Sequence, residues 1–277
     1  MSWLRKQRKQ ELQHLEPKRI LWLDCLNELK PMRIGIIGGT AMTELATGSI
    51  EVISSDDIVA ETRFGDVPIK CVKTESCTLF FLERHHGSGI NPPHNINHHA
   101  NIESLKEAGV DKILSICSVG AIPNDFPPGS IGYATQYIDF TGVAMTFSEN
   151  EAKFTSMTQP FDSEMNTLLH NTLSKIQPSL KLERTYWLAH GPQFETSKEI
   201  DAIEKLGGEV VGMTMPRECK LAAELSIPYS AILVSSNWAA GREPGDSNKA
   251  LDHDEVSSKA KSKLAPVIEC IKSIIAQ

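Results

Sequence analysis

From Arg33 onward the apolar positions of the chain switch repeatedly between two spacings. Short apolar runs bounded by polar or glycine residues predict strands over residues 34–37, Val67–Lys73, 78–83, 112–117, 130–138, 183–189 and 229–236. Between them, apolar residues recur every three to four positions and predict helices over 97–108, 161–176, 196–206, 216–225 and 254–275. The two runs at 67–73 and 78–83 are close enough to be a hairpin or adjacent strands. No repeat or low-complexity linker interrupts the alternation. The pattern therefore predicts a single α/β domain with a mixed, largely parallel sheet flanked by helices, whose ligands collect at the carboxyl ends of the strands.

Composition narrows this picture. At 277 residues, 40% hydrophobic and 23% charged, the chain can bury one large core. It has no apolar run long enough to cross a bilayer, so no membrane association is expected. A net charge of −7 argues against a nucleic-acid partner but leaves room for a local pocket that holds one small anion. Six cysteines (Cys25, Cys71, Cys77, Cys117, Cys219 and Cys270) form no CxxC pair and read as reduced thiols of a cytoplasmic protein. Residues 1–31 are rich in Lys and Arg and read as an N-terminal extension, with the compact domain spanning 32–277.

The polar groups that could carry chemistry sit where the predicted strands end. Gly38-Gly39-Thr40 follows the first strand, Arg84-His85 the third, Ser118 and Gly120 the fourth and Asn237 the last. A Gly-Gly-Thr turn exposes backbone N–H groups and a hydroxyl to an oxyanion, although the same residues also make an ordinary tight turn. The glycine spacing is not GxGxxG and no acidic residue closes a second strand, which disfavours a dinucleotide-dependent oxidoreductase. Arg84 offers a planar fork that matches two phosphate oxygens, and His85 adds a further donor. His86, His94, His98 and His99 lack a metal-ligand pattern, and no metal is expected.

In combination with motifs further along the chain, these residues acquire a specific likeness. Gly-Gly-Thr at 38–40, Arg84-His85 followed by Pro92-Pro93, Asn97, Ala100 and Asn101, the string Gly191-Pro192-Gln193-Phe194-Glu195-Thr196, Gly212-Met213-Thr214 with Glu218, and Asn237 with Ala239-Ala240-Gly241 occur in this order. Together they resemble the trimeric purine nucleoside and methylthioadenosine (methylthioinosine) phosphorylases, from Arg33 to the C-terminus. The resemblance implies a phosphate site of Thr40, Arg84, His85, the Ser118 backbone N–H and Thr214. It implies Met213 beneath the ribose, Phe194 against the purine, Gly120 in the nucleoside pocket, and Glu195 and Asn237 at the base edge. It further implies a homotrimer, inorganic phosphate as co-substrate and no organic cofactor.

The substrate is read from the departures within that resemblance. Methylthioadenosine enzymes carry a Thr-Asp-x-Asp segment after the last strand; Ser236, Asn237, Trp238 and Ala239 stand here instead. Without those carboxylates, and with Glu195 present, a 6-oxopurine such as hypoxanthine or guanine is the expected base. At the sugar end His253 resembles the histidine that contacts a 5′-hydroxyl, whereas Phe154, where a histidine is common, makes the pocket apolar and suits a methylthio group. Inosine or guanosine and 5′-methylthioinosine therefore both stay open, beside two alternatives: a methylthioadenosine phosphorylase and a non-catalytic purine-binding protein of the same fold.

Overall fold

The computed structural model describes residues 31–38, 48–86, 91–148, 150–251 and 264–277. Residues 1–30 of the N-terminal extension, Thr40 and His253 lie outside these residues, as do positions 254–263 of the helix expected over 254–275.

In chain order the elements are β1 (Met32–Gly38), β2 (Ser54–Ala60), β3 (Val67–Lys73), β4 (Cys77–Glu83), α1 (His98–Glu107), β5 (Lys112–Ala121), β6 (Ile131–Asp139), α2 (Ser163–Ile176), β7 (Glu183–Leu188), α3 (Ser197–Lys205), β8 (Val210–Gly212), α4 (Met215–Glu224), β9 (Tyr229–Trp238) and α5 (Ala265–Ile275). The strands form one sheet in the order β2-β3-β4-β1-β5-β8-β7-β6-β9, and an additional pairing of β5 with β9 closes its second half into a ring. Pairs β1–β4, β1–β5, β5–β9, β6–β7 and β7–β8 are parallel, while β2–β3, β3–β4, β5–β8 and β6–β9 are antiparallel, so the sheet is mixed.

Period-2 alternation sends neighbouring side chains of one strand to opposite faces. Phe80 and Leu82 of β4 join a core cluster with Ile102 and Leu105 of α1 and Cys219 and Leu221 of α4. Leu79 and Phe81 join a second cluster with Leu169 and Leu173 of α2 and Val267 and Ile271 of α5. Burial of these two faces is the main favourable contribution to folding. Helix starts are fixed locally: Asn97 accepts from the Ala100 N–H, Asp162 from the Met165 N–H, and Thr196 with Glu199 forms a reciprocal capping box. No helix among the described residues is long and apolar enough to cross a membrane.

β5 joins the two halves of the sheet. Its first residues pair with β1 and its last two with β8, while β9 runs along its other side with a register shift at Val119/Gly120. The parallel strands β1, β4, β5 and β9 thus open their carboxyl ends at the same edge, and the turn before α4 arrives there from β8.

Candidate active site

Arg84 follows directly on β4 and its position is fixed at backbone and side chain. Its N–H donates to the Gly38 carbonyl at 2.9 Å, and its carbonyl accepts from Asn101 Nδ2 at 3.2 Å. The side chain is 5% exposed. Its Nε donates to Glu218 Oε1, Nη2 to Ser115 Oγ at 2.6 Å and Glu218 Oε2 at 3.3 Å, and Nη1 to the Ile116 carbonyl at 3.1 Å. The guanidinium thus offers a ligand one remaining Nη1 hydrogen instead of an open two-pronged edge. Burial alone would raise the Glu218 carboxyl, but the charge and hydrogen bonds of Arg84 outweigh it and hold the carboxyl below the usual range.

Thr214 connects to this group through Cys117, which accepts from Arg84 Nη2 at 3.5 Å and pairs with the Thr214 side chain. Thr214 is the N-cap of α4, yet its hydroxyl makes no capping bond, and its N–H donates to Tyr186 Oη at 3.2 Å. The hydroxyl thus stands at the positive end of a ten-residue helix, a position that favours an anion. His85 lies beside Arg84 with Nδ1 on the Asn91 carbonyl at 2.7 Å. Two further histidines go to separate partners: His86 to Asn101 Oδ1 and His99 to the Thr146 carbonyl.

Two close approaches assemble the rest of the cleft. A Cβ on Gly120 would lie 3.1 Å from Val211 and 3.4 Å from Asn237 Nδ2, so the missing side chain lets the ends of β5, β8 and β9 meet. At Gly191, whose φ is +70°, a Cβ would lie 2.7 Å from Met213 Sδ, so only glycine brings the 191–196 loop onto the turn before α4. The structure thereby joins Met213 and Thr214 to the loop that carries Phe194 and Glu195. The Asn237 amide is oriented by its neighbours, Oδ1 accepting from Ser236 Oγ at 2.8 Å and Nδ2 donating to the Trp238 carbonyl at 2.7 Å. One Nδ2 hydrogen remains for a ligand. Burial pushes up the Glu195 carboxyl, its own backbone N–H offsets part of this, and Glu199 adds to it.

Ser118 is exposed, and strand alternation turns its side chain away from Ser115 and Cys117, so only its backbone could serve the anion. Phe154 is 96% exposed. Sequence reasoning gave Ser115 and Tyr186 no role and Glu218 only a place in a motif. The one signal for Glu218 was an acid four residues after Thr214 in the same motif.

A family model described as the phosphorylase superfamily matches residues 33–275. The probable S-methyl-5′-thioinosine phosphorylase of Thermodesulfovibrio yellowstonii is 34% identical over 78% of this chain and 81% of its own length. The 6-oxopurine nucleoside phosphorylase of Pyrococcus furiosus is 32% identical over 88% and 92%. Among solved structures, methylthioadenosine phosphorylase from Schistosoma mansoni superposes with a TM-score of 0.76 at 21% identity, covering 88% of this chain and 91% of that one, a likeness of fold.

Proposed function

The chain belongs to the phosphorylase superfamily, and on that basis we propose that it is a pentosyltransferase that phosphorolyses a 6-oxopurine nucleoside, inosine or guanosine or 5′-methylthioinosine. An oxygen of inorganic phosphate attacks C1′, the C1′–N9 bond breaks, and its electron pair leaves with the purine, which takes up a proton. The products are the free base and ribose 1-phosphate or its methylthio equivalent. The observation that carries the reading is a set of close approaches: Arg84 and Thr214 both reach Cys117, Asn237 lies against Gly120, and Gly191 of the loop that carries Glu195 lies against Met213.

Each group has a task that fits its surroundings. The transition state gathers positive charge on the ribose and negative charge on the departing base. Phosphate below the sugar is held by Arg84, His85, the Thr214 hydroxyl, Thr40 and the Ser118 N–H, and it stabilises the ribose cation as well as attacking it. Met213 supports the ribose, Gly120 leaves room for the nucleoside and Phe194 packs on the purine. Asn237 donates its spare amide hydrogen to the base edge, and Glu195 accepts from an N–H that 6-oxopurines carry and adenine lacks. No protein nucleophile, metal or organic cofactor enters the scheme.

We extend the reading to a homotrimer in the cytoplasm. Phe154 and Phe140, 96% and 71% exposed, are large apolar side chains that a neighbouring subunit would cover, with Phe154 facing the neighbour's sugar pocket. None of the five described cysteines is in a disulfide, as expected of a reducing compartment. The test is release of free base from inosine, guanosine, adenosine, methylthioadenosine and methylthioinosine at fixed phosphate. The 6-oxopurine nucleosides are expected to react fastest; a clear preference for methylthioadenosine would refute the role given to Asn237.

A further inference from the structure

We propose that Glu218 is the positioning residue of the anion site: it fixes the Arg84 guanidinium before phosphate arrives, so that binding needs no rearrangement of the side chain. The inference rests on the proposed role of Arg84 in phosphate binding.

Four donors converge on this one carboxylate: Arg84 Nε, Arg84 Nη2, Ser115 Oγ at 2.8 Å and Tyr229 Oη at 2.9 Å. They come from the end of β4, from β5 and from β9, while Glu218 itself stands on α4 one turn after Thr214. Glu218 is fully buried, and no water could take over an unsatisfied lone pair there. His98 flanks it at 3.9 Å but makes no hydrogen bond through either ring nitrogen. Burial pushes that ring down to about 3, against the pull of Glu218, so it stays neutral and leaves Arg84 as the ionic partner of the carboxylate.

The arrangement does two things to the anion site. It satisfies every guanidinium hydrogen except one on Nη1, which sets the single direction in which Arg84 can meet a ligand. It also compensates the arginine's charge, so an empty site carries no unpaired buried cation. Pure compensation and positioning predict opposite results when the charge of Glu218 is removed. If the acid only compensates, its loss frees a cation and phosphate binds more tightly; if it positions, its loss lets the guanidinium turn away and phosphate binds more weakly, despite the gain in positive charge.

Steady-state kinetics of Glu218→Gln, with phosphate and inosine varied in turn and the fold checked by circular dichroism, separates the two. Positioning predicts a phosphate KM raised about tenfold or more with the inosine KM within about twofold of the parent. An unchanged or lowered phosphate KM in the folded variant overturns the proposal. If Glu218→Gln does not fold, Tyr229→Phe removes one of the four donors and keeps the acid; a smaller rise in phosphate KM, about two- to fivefold, is expected, and no rise overturns the proposal. Arg84→Ala is measured beside them: if it leaves the phosphate KM untouched, Arg84 does not hold the anion, and the reading of the site fails together with this inference. If Arg84→Ala impairs phosphate use and the Glu218 and Tyr229 variants do not, only the inference fails.

Discussion

At the Arg84 end of the cleft the polar groups are held by partners already in the chain. Guanidinium, carboxylate, serine and tyrosine form one buried network under strands β4, β5 and β9. At the Glu195 end the carboxyl hangs on a loop, partly exposed, beside a Phe194 that is 38% exposed. The first region is set by core packing and must be the same whatever nucleoside arrives. The second has spare hydrogen-bonding capacity and can be retuned by single residues. One scaffold can in this way keep a fixed anion site while its base and sugar specificity vary.

The rigid end should respond most strongly to substitution. Arg84→Ala should lower kcat/KM by about a thousandfold or more, because it removes a preorganised donor and leaves Glu218 buried without its counter-ion. Product release under saturating phosphate, with a thermal melt to separate lost folding from lost chemistry, checks this. Asn237→Asp probes the tunable end: a carboxylate there should shift the ratio of kcat/KM for inosine over adenosine toward adenosine by about a hundredfold, without change in the phosphate KM.

A pH profile separates the two ends further. Burial raises the Glu195 carboxyl, so as the pH falls the ionised form is lost earlier than for an exposed glutamate. The acid limb of kcat/KM for inosine should therefore lie above the ordinary glutamate range, and Glu195→Gln should flatten it while lowering the plateau about tenfold. The same shift carries a sign for stability: a carboxyl whose folded pKa is raised loses stability as pH rises through the interval from its unfolded to its folded value, so Glu195→Gln should melt slightly higher than the parent at neutral pH. The smallest effect belongs to Phe154→Ala. It should change the KM for methylthioinosine about threefold and that for inosine less, because only the 5′ substituent would feel the lost ring.

The regular part of this architecture was legible in the pattern of the chain. The strand expected over 67–73 and its hairpin partner over 78–83 form β3 and β4, with Lys73 paired to Thr78. Helix ends were legible where caps announced them, as at Asn97 and Thr196. β2 escaped because its sequence, Ser54–Ala60, carries Ser-Ser-Asp-Asp on an exposed edge where no apolar alternation is required. β8 has only three residues, and the far end of β5 hides behind Ser118 and Gly120, which read as a loop. In the cleft, the strand-end residues announced themselves by type and place. The partner of Arg84 did not, because a contact between residues 134 positions apart leaves no local signature.

That phosphate itself is the nucleophile can be followed by phosphorus NMR of inosine and inorganic phosphate with the full chain. A ribose 1-phosphate signal should rise in step with free hypoxanthine, and neither should form when phosphate is omitted. Equal base release in phosphate-free buffer, or purine binding with no product in phosphate, would show that phosphate is not the attacking group.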